Sequence, residues 1–279
     1  VDSINLYVDK LTCRYFIQIY RSKSKRKGIN MSKIKKFIKR NKMFSLLAVA
    51  AIAIILVGIF APVIATHSPY ESNLHDAFIA PNSEHIFGTD KLGRDIFSRV
   101  IYGTRISLSA ALILVISIFT IGTTLGVIAG YFGGIIDTII MRISDMMISF
   151  PGMVLAIAMA GIMGASVKNA VIAITVVSWT KYARLSRSLV LKIKETDYIR
   201  AAKVTGCKTI HIITRHIIPN IISTLIITAT TDIGTMILEL SALSVLGFGA
   251  QSPQAEWGLM LNEGRAYMVD CPWLMIYPG

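Results

Sequence analysis

The stretch Gly88-Thr-Asp-Lys-Leu-Gly93-Arg94-Asp95 has nearly the spacing of a phosphate-binding glycine loop. That chemistry needs Lys and then Ser or Thr after the last glycine, to meet phosphate and magnesium. Arg94 and Asp95 stand there instead, and no other such loop is present. No nucleotide site is therefore expected in this chain. Neither HExxH nor GxSxG occurs in an apolar helix, and no paired catalytic Asp is visible, so no catalytic residue is expected. His67, His75 and His85 are separated by eight and ten residues, a spacing that suggests no compact metal site. Met141, Met146, Met147, Met153, Met159 and Met163 are expected to fill helix packing rather than to bind a soft metal. Cys13, Cys207 and Cys271 form no CxxC pair, which leaves no disulfide framework or zinc site to read.

A stripe of a different kind runs through Thr228, Thr231, Asp232, Thr235 and Glu239. At helical spacing these residues share one face. A carboxylate facing lipid is costly, so the stripe should face a partner subunit or a wet pathway. An acidic lining would suit a cationic cargo such as a metal chelate or the ammonium group of a peptide.

The elements that must position these residues are apolar. Of 279 residues, 53% are hydrophobic and 16% charged, and the mean hydropathy is +0.60. This composition excludes a disordered chain and argues against a soluble globule. The net charge of +13 fits basic cytoplasmic loops better than nucleic-acid binding, because no aromatic-basic module accompanies it.

The runs predict an all-α membrane protein with five complete spans and the start of a sixth. The first covers 44–65 and the second 106–131, which carries Gly122, Gly126 and Gly130. Glycines at that spacing let another helix approach closely. The third run is 146–165, with Pro151 in its first turns. The fourth starts near Val167 and leaves the membrane between Trp179 and Arg187, with Trp179 and Tyr182 at the interface and Lys181, Arg184 and Arg187 in the cytosol. The fifth is 217–238, and a sixth begins near Pro272. With the N-terminus inside, 23 of the 29 Lys and Arg fall on cytoplasmic segments, which sets that orientation. Residues 1–43 are then a basic cytoplasmic segment and 66–105 an extracytoplasmic loop. Met31 is expected as the natural start, with 1–30 an upstream extension. The alternative is a cytoplasmic tail that meets anionic lipid through residues 21–27.

The segment between spans four and five carries the most information. It reads Glu195-Thr-Asp197-Tyr-Ile-Arg200-Ala201-Ala202-Lys203-Val-Thr-Gly206 and continues to Pro219. Two alanines permit a short helix to pack closely. Gly206 can end it in the left-handed conformation, and Pro219 suits the first turn of the next helix. By structure alone this is a solvated helical hairpin.

Ala-Ala, three residues, Gly and thirteen positions to Pro resembles the coupling loop of ABC-importer permeases. The family's leading Glu aligns with Arg200, and its Ile-x-Leu-Pro ending with residues 216–219, while the spacing is intact. Residues 87–99 with 102–105, residues 130–134 with Met141-Arg142, and Leu246-Gly-Phe-Gly249 with Glu256-Trp-Gly258 resemble the peptide/nickel permease group. The likeness covers about residue 35 to the end. It implies the C-type permease of a heterodimeric pair, with 106–279 as the permease core and the family's last span incomplete. It also implies that residues 195–219 dock on separate ATP-binding subunits, with Ala202 expected to face their cleft. Expected partners are a second permease subunit, two ATP-binding subunits that hold ATP and Mg, an extracytoplasmic substrate-binding protein and the lipid bilayer of the cell membrane. The cargo would be nickel, in free or chelated form, or small peptides; residues 177–187 and 232–236 are slightly closer to nickel-type members. The competing class is a self-sufficient secondary transporter or channel subunit. Such transporters carry internal repeats and more spans, and neither is found here.

Overall fold

A computed structural model describes residues 40–279. The expected N-terminal extension, with Cys13, Met31 and residues 21–27, lies outside the described residues. Among those described there is no strand, only an isolated bridge between Thr89 and Asp95.

Helix α1 covers Lys42–Ile59 and α2 covers Ala61–Ile64. They break at Phe60 because Pro62, in the first turn of α2, offers no N–H to the preceding turn. Helix α3 runs over Ile96–Phe132, so the last ten residues of the expected 66–105 loop are helical. At 37 residues α3 is about 55 Å long. Asp95 starts it by accepting the Ser98 N–H at 2.8 Å, an ordinary carboxylate cap.

Helices α4, Gly134–Ile148, and α5, Gly152–Met163, are bent by 88° relative to each other. The expected third span, 146–165, is thus not one helix. Pro151 is the residue before α5 rather than part of its first turns, and its constraint on Phe150 stops α4 from continuing. Met159 packs against the core, whereas Met146 and Met163 are exposed, so the methionines are not uniformly packing residues.

Helix α6 is Val167–Lys194 and α7 is Asp197–Val204. Helix α8, Thr209–Val245, contains a π-helical turn at Ile213–Ile217. Helix α9 is Trp257–Gly264, and α10, Trp273–Ile276, is a single turn. By length and apolarity two of these can cross a membrane, α3 and α8, or three if the bent α4–α5 pair is one crossing. That is fewer than the five complete spans expected. Pro62 interrupts the first, Pro151 the third, and the fourth carries basic residues along its second half. Nor does the stretch from Pro272 show the start of a span. Its turn is seated in a small cluster with Ile96, Met260, Cys271 and Leu274, and Tyr277 stacks on Phe87 at 4.0 Å.

The main core lies where α3, α6 and α8 meet, around Leu114, Ile118, Ile174, Tyr182 and Leu225. Gly122, Gly126 and Gly130 set the spacing of α3 and α6. A β-carbon on Gly122 would lie 2.6 Å from Tyr182 Cβ, and one on Gly130 2.9 Å from Val190 Cβ. On Gly126 it would overlap the Ala183 carbonyl and the Ser186 hydroxyl. Trp179 and Tyr182 are buried in this contact instead of sitting at a membrane interface. At Gly122 the seam meets the Tyr182 side chain and the Trp179 carbonyl.

Gly126→Ala should therefore force α3 and α6 apart and cost about 1–3 kcal/mol, read as a lower unfolding midpoint in detergent. A β-carbon on Gly234 meets nothing within 4 Å, so Gly234→Ala should raise that midpoint by the equivalent of about 0.5–1 kcal/mol.

Candidate functional site

The residues flagged by their chemistry fall into three places. The first is the turn before α3. Arg94 is fully buried; its Nε donates to Asp90 Oδ2 at 2.7 Å and its Nη2 to Glu263 Oε2 at 2.8 Å. Arg99 Nη2 donates to the same Glu263 oxygen at 3.1 Å. The guanidinium that replaces the lysine of a glycine loop is thus consumed by two carboxylates. Asp95 puts a carboxylate on the helix N-terminus, the position where a phosphate would bind. Glu256 does the same at α9, accepting the N–H groups of Gly258 and Leu259 at 3.0 and 2.8 Å.

The second place is the crossing of α6 and α8. Asp232 is 4% exposed. Lys181 Nζ donates to its Oδ1 at 2.6 Å and the Tyr182 hydroxyl to its Oδ2 at 2.8 Å. The Asp232 charge, expected to form part of an acidic lining, is matched within the chain. Lys181, expected in the cytosol, reaches along its apolar stem to this carboxylate. Thr231 and Thr235 are exposed and Glu239 is half-buried, so the stripe does not share one environment. The Thr228 and Thr231 hydroxyls donate back to α8 carbonyls at 3.1 and 2.7 Å.

Further along α6, Arg184 and Arg187 are also paired rather than free in solvent. Arg187 Nη2 donates to Asp137 Oδ2 at 2.6 Å, and Arg184 Nε to the Ser144 hydroxyl at 3.1 Å. Both partners lie on α4. They could have been suspected from Asp137 and Asp145, two carboxylates in an apolar run that require counter-charges.

The third place is α7 and its flanks. Ile199 and Ala202, three residues apart, turn inward and join the core cluster of Val190, Ile212 and Ile217. Ala202, expected to face the partner cleft, is only 6% exposed; the small side chain lets α7 lie close to its own chain. The outward residues are Asp197, Arg200, Lys203 and Val204, with Lys208 and Ile210 beyond. Val204 is 88% exposed. It was missed because one valine among charges has no periodic signal. Glu195 and Arg200 pair at 2.7 Å on the surface, and this hydrogen bond holds the Glu195 carboxyl below its ordinary range. Ala201 is half-buried at the edge of α7.

The helix ends as its residues require. Gly206 has φ +76°, its N–H donates to the Lys203 carbonyl at 3.1 Å, and the Cys207 N–H reaches the Ala202 carbonyl at 3.0 Å. These two bonds form a Schellman cap. The same cap closes α8, where Gly247 has φ +91° and the Phe248 N–H donates to the Leu243 carbonyl at 2.9 Å. On the other flank, Pro219 stands in the first turn of the α-helical stretch Ile218–Val245, as expected. It follows the π turn directly, and the Ile218 N–H bonds the Ile213 carbonyl, five residues back. Proline's missing donor and ring bulk favour this wider turn. The Asn220 amide donates to the His216 carbonyl at 2.5 Å. Lys194 Nζ donates to the Tyr131 carbonyl at 2.7 Å, which ties the α6 end to the α3 end beside α7.

The family described as "Binding-protein-dependent transport system inner membrane component" matches residues 122–276, a stretch that holds the glycine seam, the Asp232 pairing and α7. The chain belongs to this family. It is an ABC-importer permease of the peptide/nickel type and a membrane-integral protein. Similar proteins include a dipeptide transport system permease protein of Alkalihalophilus pseudofirmus, 44% identical over 244 residues, 88% of this chain and 80% of the relative. A glutathione transport system permease protein of Pectobacterium atrosepticum is 46% identical over 199 residues, 71% of this chain and 66% of the relative. A nickel transport system permease protein of Escherichia coli K12 is 35% identical over 234 residues, 82% of this chain and 84% of the relative.

In this permease the Asp232–Lys181 pair ties α6 to α8, so its two members should be coupled. Lys181→Met strands a buried carboxylate with one remaining partner, whereas Asp232→Asn removes the charge and keeps an acceptor for Tyr182. A double-mutant cycle on unfolding in detergent should give a coupling energy of about 1 kcal/mol. Additive single losses would show that the pair contributes no net stability.

Proposed function

We propose that the chain is the membrane-spanning permease subunit of an ATP-driven importer, lining with a second permease the pathway for small peptides. An extracytoplasmic binding protein delivers the cargo. Two separate ATP-binding subunits hold ATP and Mg and dock on α7. The N-terminus is cytoplasmic in this reading, in keeping with the basic residues gathered on segments 1–43 and 181–216.

The observation that carries the reading is the build of α7. It is a short helix with one face packed into the core that joins α3, α6 and α8 and the other face open. A push on the open face meets no soft layer before it reaches α6 and α8. Closure of the ATP-binding subunits can thus reorient those helices, the rigid-body motion that alternating access requires.

Peptide cargo is supported by dipeptide permease relatives at 44% and 40% identity, and by the neutralised Lys181–Asp232 pair. A paired cation and anion beside exposed Thr231 and Thr235 suit a zwitterion better than a bare cation. Nickel is the second reading, supported by the 35% identical nickel permease and by the likeness of residues 177–187 and 232–236 to nickel-type members.

The test uses the assembled transporter. Valine at position 206 would have to adopt φ +76°, a strain of about 1–3 kcal/mol, and would unmake the α7 cap. Gly206→Val should reduce dipeptide uptake by ~10-fold or more and lower recovery of the ATP-binding subunits, with membrane insertion unchanged. Normal uptake with normal recovery would remove the coupling role. Uptake by the chain without ATP-binding subunits would favour a secondary transporter, and uptake of Ni2+ without dipeptide would favour the second cargo.

A further inference from the structure

The spacing of His67, His75 and His85 argues against a compact site, yet the fold brings two of the three together. The segment after α2 turns back against the start of α3. There His67 and His85 face each other with ring centroids 4.9 Å apart, and both Nδ1 atoms address one carboxylate. His85 Nδ1 is 3.0 Å from Asp95 Oδ1, and His67 Nδ1 is 3.9 Å from Asp95 Oδ2. His75 stands apart on an exposed turn.

From this convergence we propose that His67, His85 and Asp95 bind a divalent first-row transition-metal ion such as Zn2+ or Ni2+. One donor atom from each residue lies within 4.8 Å of the other two. Donor atoms around a tetrahedral ion with bonds of about 2.1 Å sit ~3.4 Å apart. The His85–Oδ1 and His67–Oδ2 separations, 3.0 and 3.9 Å, fall on either side of that value on the two oxygens of one carboxylate, and closing the site on them takes a swing of the His67 ring on the order of 1 Å. The His67 side chain is 38% exposed, and the swing gives up only the contact of its Nδ1 with the neighbouring Thr66 hydroxyl at 3.0 Å.

The other two donors are fixed. Asp95 is 3% exposed, and its Oδ2 accepts the Ser98 N–H at 2.8 Å. The Ser98 hydroxyl in turn accepts the His67 N–H at 3.0 Å, so one residue ties the backbone of one donor to the carboxylate of another. The His85 N–H donates to Asn82 Oδ1 at 2.7 Å. These are the supporting contacts that a metal site needs to hold its donors in place.

Charge favours the same occupant. The neighbouring Arg94 and Arg99 are committed to Asp90 and Glu263. Among the described residues, the charge partners of Asp95 are the two imidazoles. An ion bound there would replace the proton shared between His85 and Asp95, and solvent on the His67 side would fill the open position. Two imidazoles and one carboxylate select borderline transition ions over Ca2+ and Mg2+. This assignment rests on geometry alone and does not depend on the transport reading.

The test is titration calorimetry on the full chain in nanodiscs, purified without a histidine tag and stripped with chelator, using Zn2+, Ni2+ and Ca2+ separately. The expected result is one Zn2+ or Ni2+ per chain and no Ca2+. His67→Gln and Asp95→Asn should each weaken binding by ~10-fold or more, while His75→Gln leaves it unchanged. His67 is exposed, so its variant should keep the metal-free melting temperature of the parent chain, and asparagine still caps α3 in Asp95→Asn. Absence of saturable binding in the parent chain would overturn the proposal. So would binding that survives His67→Gln, or that is lost equally in His75→Gln.

Discussion

The close approach of α3 and α6 through Gly122, Gly126 and Gly130 is the constraint on which the rest of the structure depends. With no side chain in the seam, the backbone of α6 lies against that of α3. Once this contact is made, the rotation of α6 is no longer free. Tyr182 is pressed into the core, Lys181 is turned toward Asp232 on α8, and Arg187 toward Asp137 on α4. Thus one small-residue interface determines which polar groups meet at three other contacts. In a membrane, where apolar surface alone does not drive helices together, such packing and the hydrogen bonds it permits supply the association.

The two ends of the bundle are finished differently. At one end, buried charges hold loops to helix starts: Asp90, Arg94, Arg99 and Glu263 form one network, and Asp95 and Glu256 cap α3 and α9. Breaking a buried network of this kind strands charge and costs far more than the network itself stabilises, so this end behaves as a rigid block. At the other end α7 is held by two apolar residues and closed by a glycine cap, beside the lysine that ties α6 to α3. That end has an open charged face with Val204 and Ile210 exposed among the charges, as expected of a surface completed by another subunit.

Features governed by local chemistry were legible in the sequence. The glycine spacing on α3, the cap at Gly206 and the short helix before it depend on residues within one or two turns, and the ordered motifs pointed to the family. Features set by partners distant in the chain were not legible. Asp232 read as an uncompensated carboxylate because Lys181 is 51 residues away. Ala202 read as outward-facing because which side of a short amphipathic helix is buried depends on what it packs against. Trp179 and Tyr182 carry the composition of interface residues, yet both are buried, Tyr182 against the glycine seam. Pro151 was read as lying in the first turns of one span, but it stands before α5, at the break between the bent pair. His67 and His85 meet only because the start of α3 folds the loop between them.

The central claim is that the outer face of α7 delivers the motion of an ATP-binding partner to α6 and α8. Photo-crosslinking in the assembled transporter tests it most directly, with a benzophenone side chain placed at position 204 or, as the buried control, at position 202. The account predicts a crosslink from position 204 to the ATP-binding subunit, with a yield that changes on adding nucleotide, and none from position 202. A crosslink absent from position 204, with the ATP-binding subunit captured instead from a site near His75 at the opposite end, would contradict it.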